Sequence, residues 1–156
     1  MKQADRYSLK IDDKAISHVE NYIENLFRRW DINEIYLGNI ITSFSNLIHL
    51  VSEMQGDCII EIVSHSENEE IYFNFNGLNH SILKLFFGEY QLKDIKDTST
   101  QSVFLIQKVA DNIFVEDEHL ILQFSIGALP DEFINIRKRS LKGYRQNALM
   151  KHGLND

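Results

Sequence analysis

The sequence is poor in the residues and segments that mark several classes of protein. Of its 156 residues, only one is cysteine and only one is proline. A single cysteine, Cys58, excludes an internal disulfide, and its apolar neighbours indicate a buried, unreactive thiol. No run of about 18 apolar residues occurs, which argues against a membrane span. The first residues also lack the apolar core of a signal peptide, so we expect a cytoplasmic protein.

Motifs for metal binding and for hydrolysis are also missing. The six histidines are scattered along the chain and form neither a His-Glu-x-x-His motif nor a close pair with Cys58, so we expect no histidine metal site. No nucleophile elbow surrounds Ser43 or Ser45, which argues against a hydrolase triad.

Positive charge is scarce except near the C-terminus. Residues 131–156 contain six Lys or Arg against three Asp or Glu, a balance of +3, which leaves −10 on the first 130 residues of a chain with net charge −7. An acidic body repels phosphates, so we expect no nucleic-acid binding. Pro130 predicts a boundary between an α/β domain, residues 1–130, and a basic, helical tail, residues 131–156. Such a tail suits an acidic groove, a partner helix or its own domain.

Hydrophobic periodicity predicts alternating groups of strands and helices. Helices are expected after Asp12 or Asp13 and after Asn33, and a further helix over 102–111. The predicted strands cover residues 7–11, 58–64, 70–76, 113–115 and 119–126. Residues 78–98 read as an irregular, lid-like segment. This order predicts an α+β fold, a two-layer α/β sandwich with a mixed or antiparallel sheet and helices on one face.

The second predicted helix carries a polar stripe beside its apolar one. Residues recurring at spacings of three and four share one helix face. The polar stripe consists of Asn39, Thr42, Asn46, His49 and Glu53. It fits either a solvated surface or the wall of a cleft.

Two segments resemble a known family. The stretch SVFLIQKVADNIFVEDEHLILQF, beginning at Ser102, and the helical stretch ITSFSNLI, residues 41–48, are similar to the last segment and the N-box of histidine-kinase-like (GHKL, Bergerat-fold) ATPase domains. Together with the element order, the resemblance covers about residues 5–128. In size the chain is most similar to the anti-sigma-factor serine kinases of bacteria. The resemblance implies an ATP–Mg²⁺ site beneath the second helix.

Within that resemblance, the N-box helix lacks the expected base. Asn46 matches the family's asparagine that ligates Mg²⁺, and Asn39 lies on the same polar stripe. Thr42 stands where the family has a carboxylate, and a threonine hydroxyl is not a general base near neutral pH. We therefore assign no catalytic residue.

The nucleotide-binding loops are altered as well. In the adenine segment, Asn76 and Gly77 are the candidate contacts, with Asn74 as the alternative to Asn76, but Phe75 stands at or near the position of the family's aspartate. In the phosphate segment, Thr100 and Ser102 stand where the family has glycines that let backbone N–H groups approach phosphate. The element order and apolar pattern of such a nucleotide-binding domain are therefore present, but the residues that would bind the nucleotide are replaced.

Three hypotheses follow. The first is a non-catalytic regulatory protein that binds a protein partner, with homodimer formation also open, and that needs no cofactor. The second is a divergent serine kinase or ATPase that binds ATP and Mg²⁺ through Asn46, with Glu53 as a relocated acid. The third is a small-molecule sensor whose cleft is lined by Asn39, Thr42, Asn46 and Phe75.

Overall fold

Residues 2–127 build an open sheet of five strands in which every neighbouring pair is antiparallel. The computed structural model describes residues 2–127. Its strands are β1 Gln3–Ile11, β2 Cys58–Glu67, β3 Glu70–Asn76, β4 Asn112–Glu116 and β5 His119–Ser125. They lie side by side in the order β1-β2-β3-β5-β4, so β1 and β4 are the edges of the described sheet.

Four α-helices connect these strands. They are α1 Ala15–Arg29, α2 Leu37–Gln55, α3 His80–Leu85 and α4 Thr98–Val109. Short 3₁₀ turns cover Glu34–Tyr36 and Leu92–Asp94. Asn33 accepts a hydrogen bond from the backbone N–H of Ile35 at 2.9 Å, so it caps the 3₁₀ turn that leads into α2.

The two faces of the sheet differ sharply in burial. All buried strand residues project from the same face, because side chains alternate along each strand. Phe44 of α2 packs against Phe73 and Phe75 at the centre of that face, with ring centroids 4.8 and 5.1 Å apart. On the opposite face Ile59 and Phe114 are exposed. The predicted two-layer α/β sandwich is confirmed, with an antiparallel sheet.

Two tight turns close the hairpins without glycine. Asn68 and Glu69 join β2 to β3, and Asp117 and Glu118 join β4 to β5. All four have positive φ, between 51° and 65°. Two successive residues in this region make a type I′ turn, whose twist matches that of a β-hairpin.

Several boundaries differ from the prediction. α4 begins at Thr98 rather than 102, because Asp97 caps it. The segment predicted to be irregular contains α3, which Asn79 caps by accepting from the N–H of Ile82. β1 begins at Gln3 rather than Tyr7, since its first half pairs with β2 although it lacks an apolar alternation.

The C-terminal predictions fall beyond the part of the chain that is described. Pro130 and the helical tail, residues 131–156, lie outside residues 2–127. Among the helices that are described, none combines the length and the apolar character needed to cross a membrane.

Candidate functional site

The predicted phosphate segment is part of a closed helix cap. Asp97 accepts a hydrogen bond from the N–H of Thr100 at 2.8 Å, and the Thr100 hydroxyl receives the N–H of Asp97 at 3.1 Å. This reciprocal capping box satisfies donors that a phosphate would otherwise use. The hydrogen bonds from Thr100 hold the pKa of the Asp97 carboxyl below its usual range. Ser102 lies inside the helix and is buried, away from the free N–H groups.

A second carboxylate lies at the same end of α4. The Thr98 hydroxyl donates to Glu53 Oε2 at 2.7 Å, and the Ser99 hydroxyl lies 3.5 Å from the same oxygen. The last turns of α2 are therefore joined to the first turn of α4. Two carboxylates, those of Asp97 and Glu53, lie where the family resemblance would place the phosphates of a nucleotide, and they would repel those phosphates.

Asn46, the candidate magnesium ligand, is bonded to its own helix. Its Nδ2 donates to the backbone carbonyl of Thr42 at 2.9 Å, while Oδ1, the atom that would ligate magnesium, forms no hydrogen bond with the described residues. Magnesium requires six oxygen ligands in octahedral geometry, usually with one or two carboxylates. Within residues 2–127, no three His, Cys, Asp or Glu side chains form a group that could hold a metal ion. Thr42, four residues before Asn46, offers a hydroxyl where a nucleotide site of this kind would have a carboxylate.

Two polar atoms on α2 are buried without a hydrogen-bond partner among the described residues. They are Asn39 Oδ1 and Ser43 Oγ, one helical turn apart. Asn39 belonged to the predicted stripe, whereas Ser43 was not a predicted ligand contact. Buried polar atoms are normally paired, so this pair marks the part of α2 where a small polar ligand or water would find unmet hydrogen-bonding capacity.

The predicted adenine segment is tied to the end of α2. Gln55 Nε2 donates to the carbonyl of Gly77 at 2.8 Å, and Gln55 Oε1 accepts the N–H of Asn79 at 2.7 Å. Gly77 has φ +100°, a conformation that favours glycine, so its role in the turn is sufficient to explain it. Asn76 is exposed, and Phe75 is fully buried in the core rather than lining a cleft.

The same glutamine contacts the single cysteine. Gln55 Nε2 lies 3.4 Å from Cys58 Sγ, and Cys58 is half-buried rather than buried as predicted. Partial burial raises the pKa of the Cys58 thiol, which keeps it protonated and weakly nucleophilic.

A polar cluster that the sequence did not reveal lies between β1 and α1. Tyr22 of α1 donates its hydroxyl to Asp5 Oδ2 at 2.8 Å and lies 3.0 Å from the hydroxyl of Ser64, which is fully buried. Burial raises the pKa of Tyr22 well above its usual range, so its phenol remains a donor. Arg29 Nη1 lies 3.5 Å from Asp5 Oδ1, which completes a network across three elements.

This network borders a shallow, open cleft. The cleft has a volume of about 480 Å³ and opens widely to solvent. The rings of Tyr7 and Tyr22, which both line it, stack in parallel with centroids 4.2 Å apart. Its remaining lining residues are Asp5, His18, Asn21, Asn25 and Arg29. The spacing of 18, 22, 25 and 29 on one helix face was the sequence signal that could have pointed to it.

No protein-family model matches this sequence, and no curated protein is significantly similar to it. The resemblance to histidine-kinase-like ATPase domains therefore remains an interpretation of element order and short motifs.

Proposed function

We propose that this chain is a non-catalytic regulatory module on a histidine-kinase-like ATPase scaffold, and that it acts in the cytoplasm by binding a protein partner. The observation that carries the proposal is the contact of Glu53 with Thr98, beside the capping box of Asp97 and Thr100. It fills the expected phosphate position with two carboxylates of the chain itself.

Electrostatics supports this interpretation. A nucleotide triphosphate brings several negative charges, and a site for it normally offers free N–H groups, Lys, Arg or a metal ion. At the start of α4 the N–H of Thr100 is already taken, and Glu53 and Asp97 add negative charge. A phosphate would therefore have to displace two stable contacts and to approach two like charges.

Isothermal titration of the full chain with Mg-ATP and with Mg-ADP tests the nucleotide half of the proposal. We expect no heat beyond that of dilution at protein concentrations of about 100 µM. Micromolar binding accompanied by ATP turnover would overturn the proposal and favour the divergent kinase. In that case Asn46→Ala should abolish Mg-dependent binding. The matched variant Asn76→Ala, at the end of β3, tests the candidate adenine contact separately from the candidate metal contact.

Binding to a purified partner tests the second part of the proposal, that the chain binds another protein. A protein recovered with the tagged chain would be purified separately and titrated against it, with and without Mg-ATP. We expect saturable, equimolar binding whose affinity is the same in both conditions. A dependence on Mg-ATP of tenfold or more would contradict a module that works without nucleotide.

A small-molecule sensor is the second candidate, and the unpaired atoms of Asn39 and Ser43 favour it. Native mass spectrometry of protein purified from cells would reveal a bound compound as a mass increment. If the increment is present in the wild type and lost in Ser43→Ala, but retained in the matched variant Ser45→Ala, the sensor becomes the better assignment.

A further inference from the structure

The cleft between α1 and β1 lies along an unpaired strand edge. Within the described residues β1 pairs only with β2, so the other edge of this nine-residue strand presents free backbone N–H and C=O groups. The lining residues of α1 extend from His18 to Arg29, and eleven helical steps cover about 16 Å. About five residues of an extended chain have that length.

Arg29, the cation of the cleft, is held in place and keeps donors to spare. Arg29 Nε donates to Asn25 Oδ1 at 2.8 Å, and its Nη1 faces Asp5 at 3.5 Å. A guanidinium has five N–H groups, so most of the donors of Arg29 remain for a ligand. The charge of Asp5 is already opposed by Arg29 and by the hydroxyl of Tyr22.

Three further lining side chains have hydrogen-bonding capacity to spare. Tyr7, His18 and Asn21 form no side-chain hydrogen bond with any other described residue, although all three line the cleft, and each of them can supply a donor. A carboxylate is the group that a pre-oriented guanidinium with neighbouring neutral donors recognises best, because it accepts two parallel hydrogen bonds.

We propose that this cleft binds an extended, acidic peptide segment of a partner protein. The peptide would add to β1 as a further strand and place a Glu or Asp side chain against Arg29. Strand addition in a groove between an edge strand and a helix gives affinity through main-chain hydrogen bonds and selectivity through alternate side chains. This inference rests on the proposed function, since it names the surface and the kind of partner.

A second copy of the chain is a poorer occupant of the same edge. The only acidic residue of β1 is Asp5, and that carboxylate is already bound by Tyr22 and faces Arg29 of its own chain. Self-pairing of β1 would therefore bring no free carboxylate to Arg29.

The test is selection of a displayed library of random heptapeptides on the full-length chain, followed by fluorescence anisotropy with the synthetic peptides. We expect enrichment of peptides with Glu or Asp at one fixed position. Affinity should fall at least tenfold in Arg29→Gln, fall less in Arg29→Lys, and stay unchanged in the matched control Arg28→Gln, whose side chain does not line the cleft. Replacing the peptide's Glu by Gln should lower the affinity as much as Arg29→Gln does. Combining the two changes should lower the affinity little further.

Strand addition has its own readout. N-methylation of alternate peptide amides should abolish binding in one register and leave it intact in the other, and hydrogen exchange should slow across residues 3–11 when peptide is bound. The inference is overturned if no peptides are enriched, if selected peptides bind Arg29→Gln as tightly as wild type, or if the chain sediments as a dimer with β1 protected in the absence of peptide. None of these outcomes depends on the nucleotide titrations, so the proposed function can stand when this inference fails.

Discussion

The two polar regions of the molecule use similar side chains in opposite ways. At the junction of α2 with α4, the polar groups bond to their own helices, to each other or to nothing: Asn46 to Thr42, Glu53 to Thr98, and Ser43 to no described partner. Between α1 and β1, Asp5 and Asn25 hold Arg29 in a fixed orientation with most of its donors left over. In the first region most of the side-chain hydrogen bonds are local, and in the second Arg29 keeps donors that no described residue uses.

The largest expected effect concerns the anchoring of α2. Phe44→Ala should lower the free energy of unfolding by about 3–5 kcal/mol, because the ring is fully buried against Phe73 and Phe75. Urea denaturation measures it. Phe114→Ala, on the exposed face, should change stability by less than about 1 kcal/mol. Equal losses in the two variants would show that α2 does not depend on this aromatic contact.

The next effect tests the network beside the cleft. Tyr22→Phe should lower stability by about 1–3 kcal/mol, since it leaves Asp5 without the hydroxyl that donates to it and the buried Ser64 without its hydrogen-bond partner. Tyr7→Phe is the matched control, because the Tyr7 hydroxyl forms no hydrogen bond with the described residues, and it should change stability by about 0.5 kcal/mol or less. If both variants behave alike, the network does not stabilise the edge of the sheet.

Two fully buried serines sharpen the comparison further. Ser64→Ala removes a partner of Tyr22 and should cost about 1 kcal/mol. Ser43→Ala removes a hydroxyl without a partner, and alanine is the better helix former, so stability should stay level or rise by about 0.5 kcal/mol. Thermal denaturation of both variants measures the difference. A loss in Ser43→Ala as large as that in Ser64→Ala would indicate an occupied hydrogen-bonding position on α2.

The smallest effect is a pH dependence at the cap of α4. The pKa of Asp97 is lower in the folded state than its unfolded value of 3.8. The ionised carboxylate therefore stabilises the fold at a pH above 3.8, and this stabilisation is lost as the pH falls through the lower pKa of the folded state. Asp97→Asn keeps a capping side chain that does not titrate. We expect the melting temperature of the wild type to fall more steeply below pH 4 than that of Asp97→Asn. Parallel curves would contradict a role for this carboxylate in capping.

The strands and helices could be predicted from the sequence, but the polar network of Asp5, Tyr22 and Arg29 could not. Apolar spacing was enough to predict the sheet, α1 and α2, because burial dominates those segments. It missed the start of β1, where Asp5 interrupts the apolar alternation, and the tie between Asp5 and Ser64 follows from the register of β1 against β2. Motif similarity led instead to Asn46 and Thr100, whose hydrogen bonds are local and serve their own helices.

The hairpin turns have a consequence for engineering this protein. Glu69 and Glu118 hold left-handed backbone conformations that glycine adopts without the steric conflict of a Cβ atom. Replacing each by glycine offers a route to a more heat-resistant variant in which the cleft and the helix layer stay untouched. Natural proteins commonly leave stabilising substitutions of this kind unused.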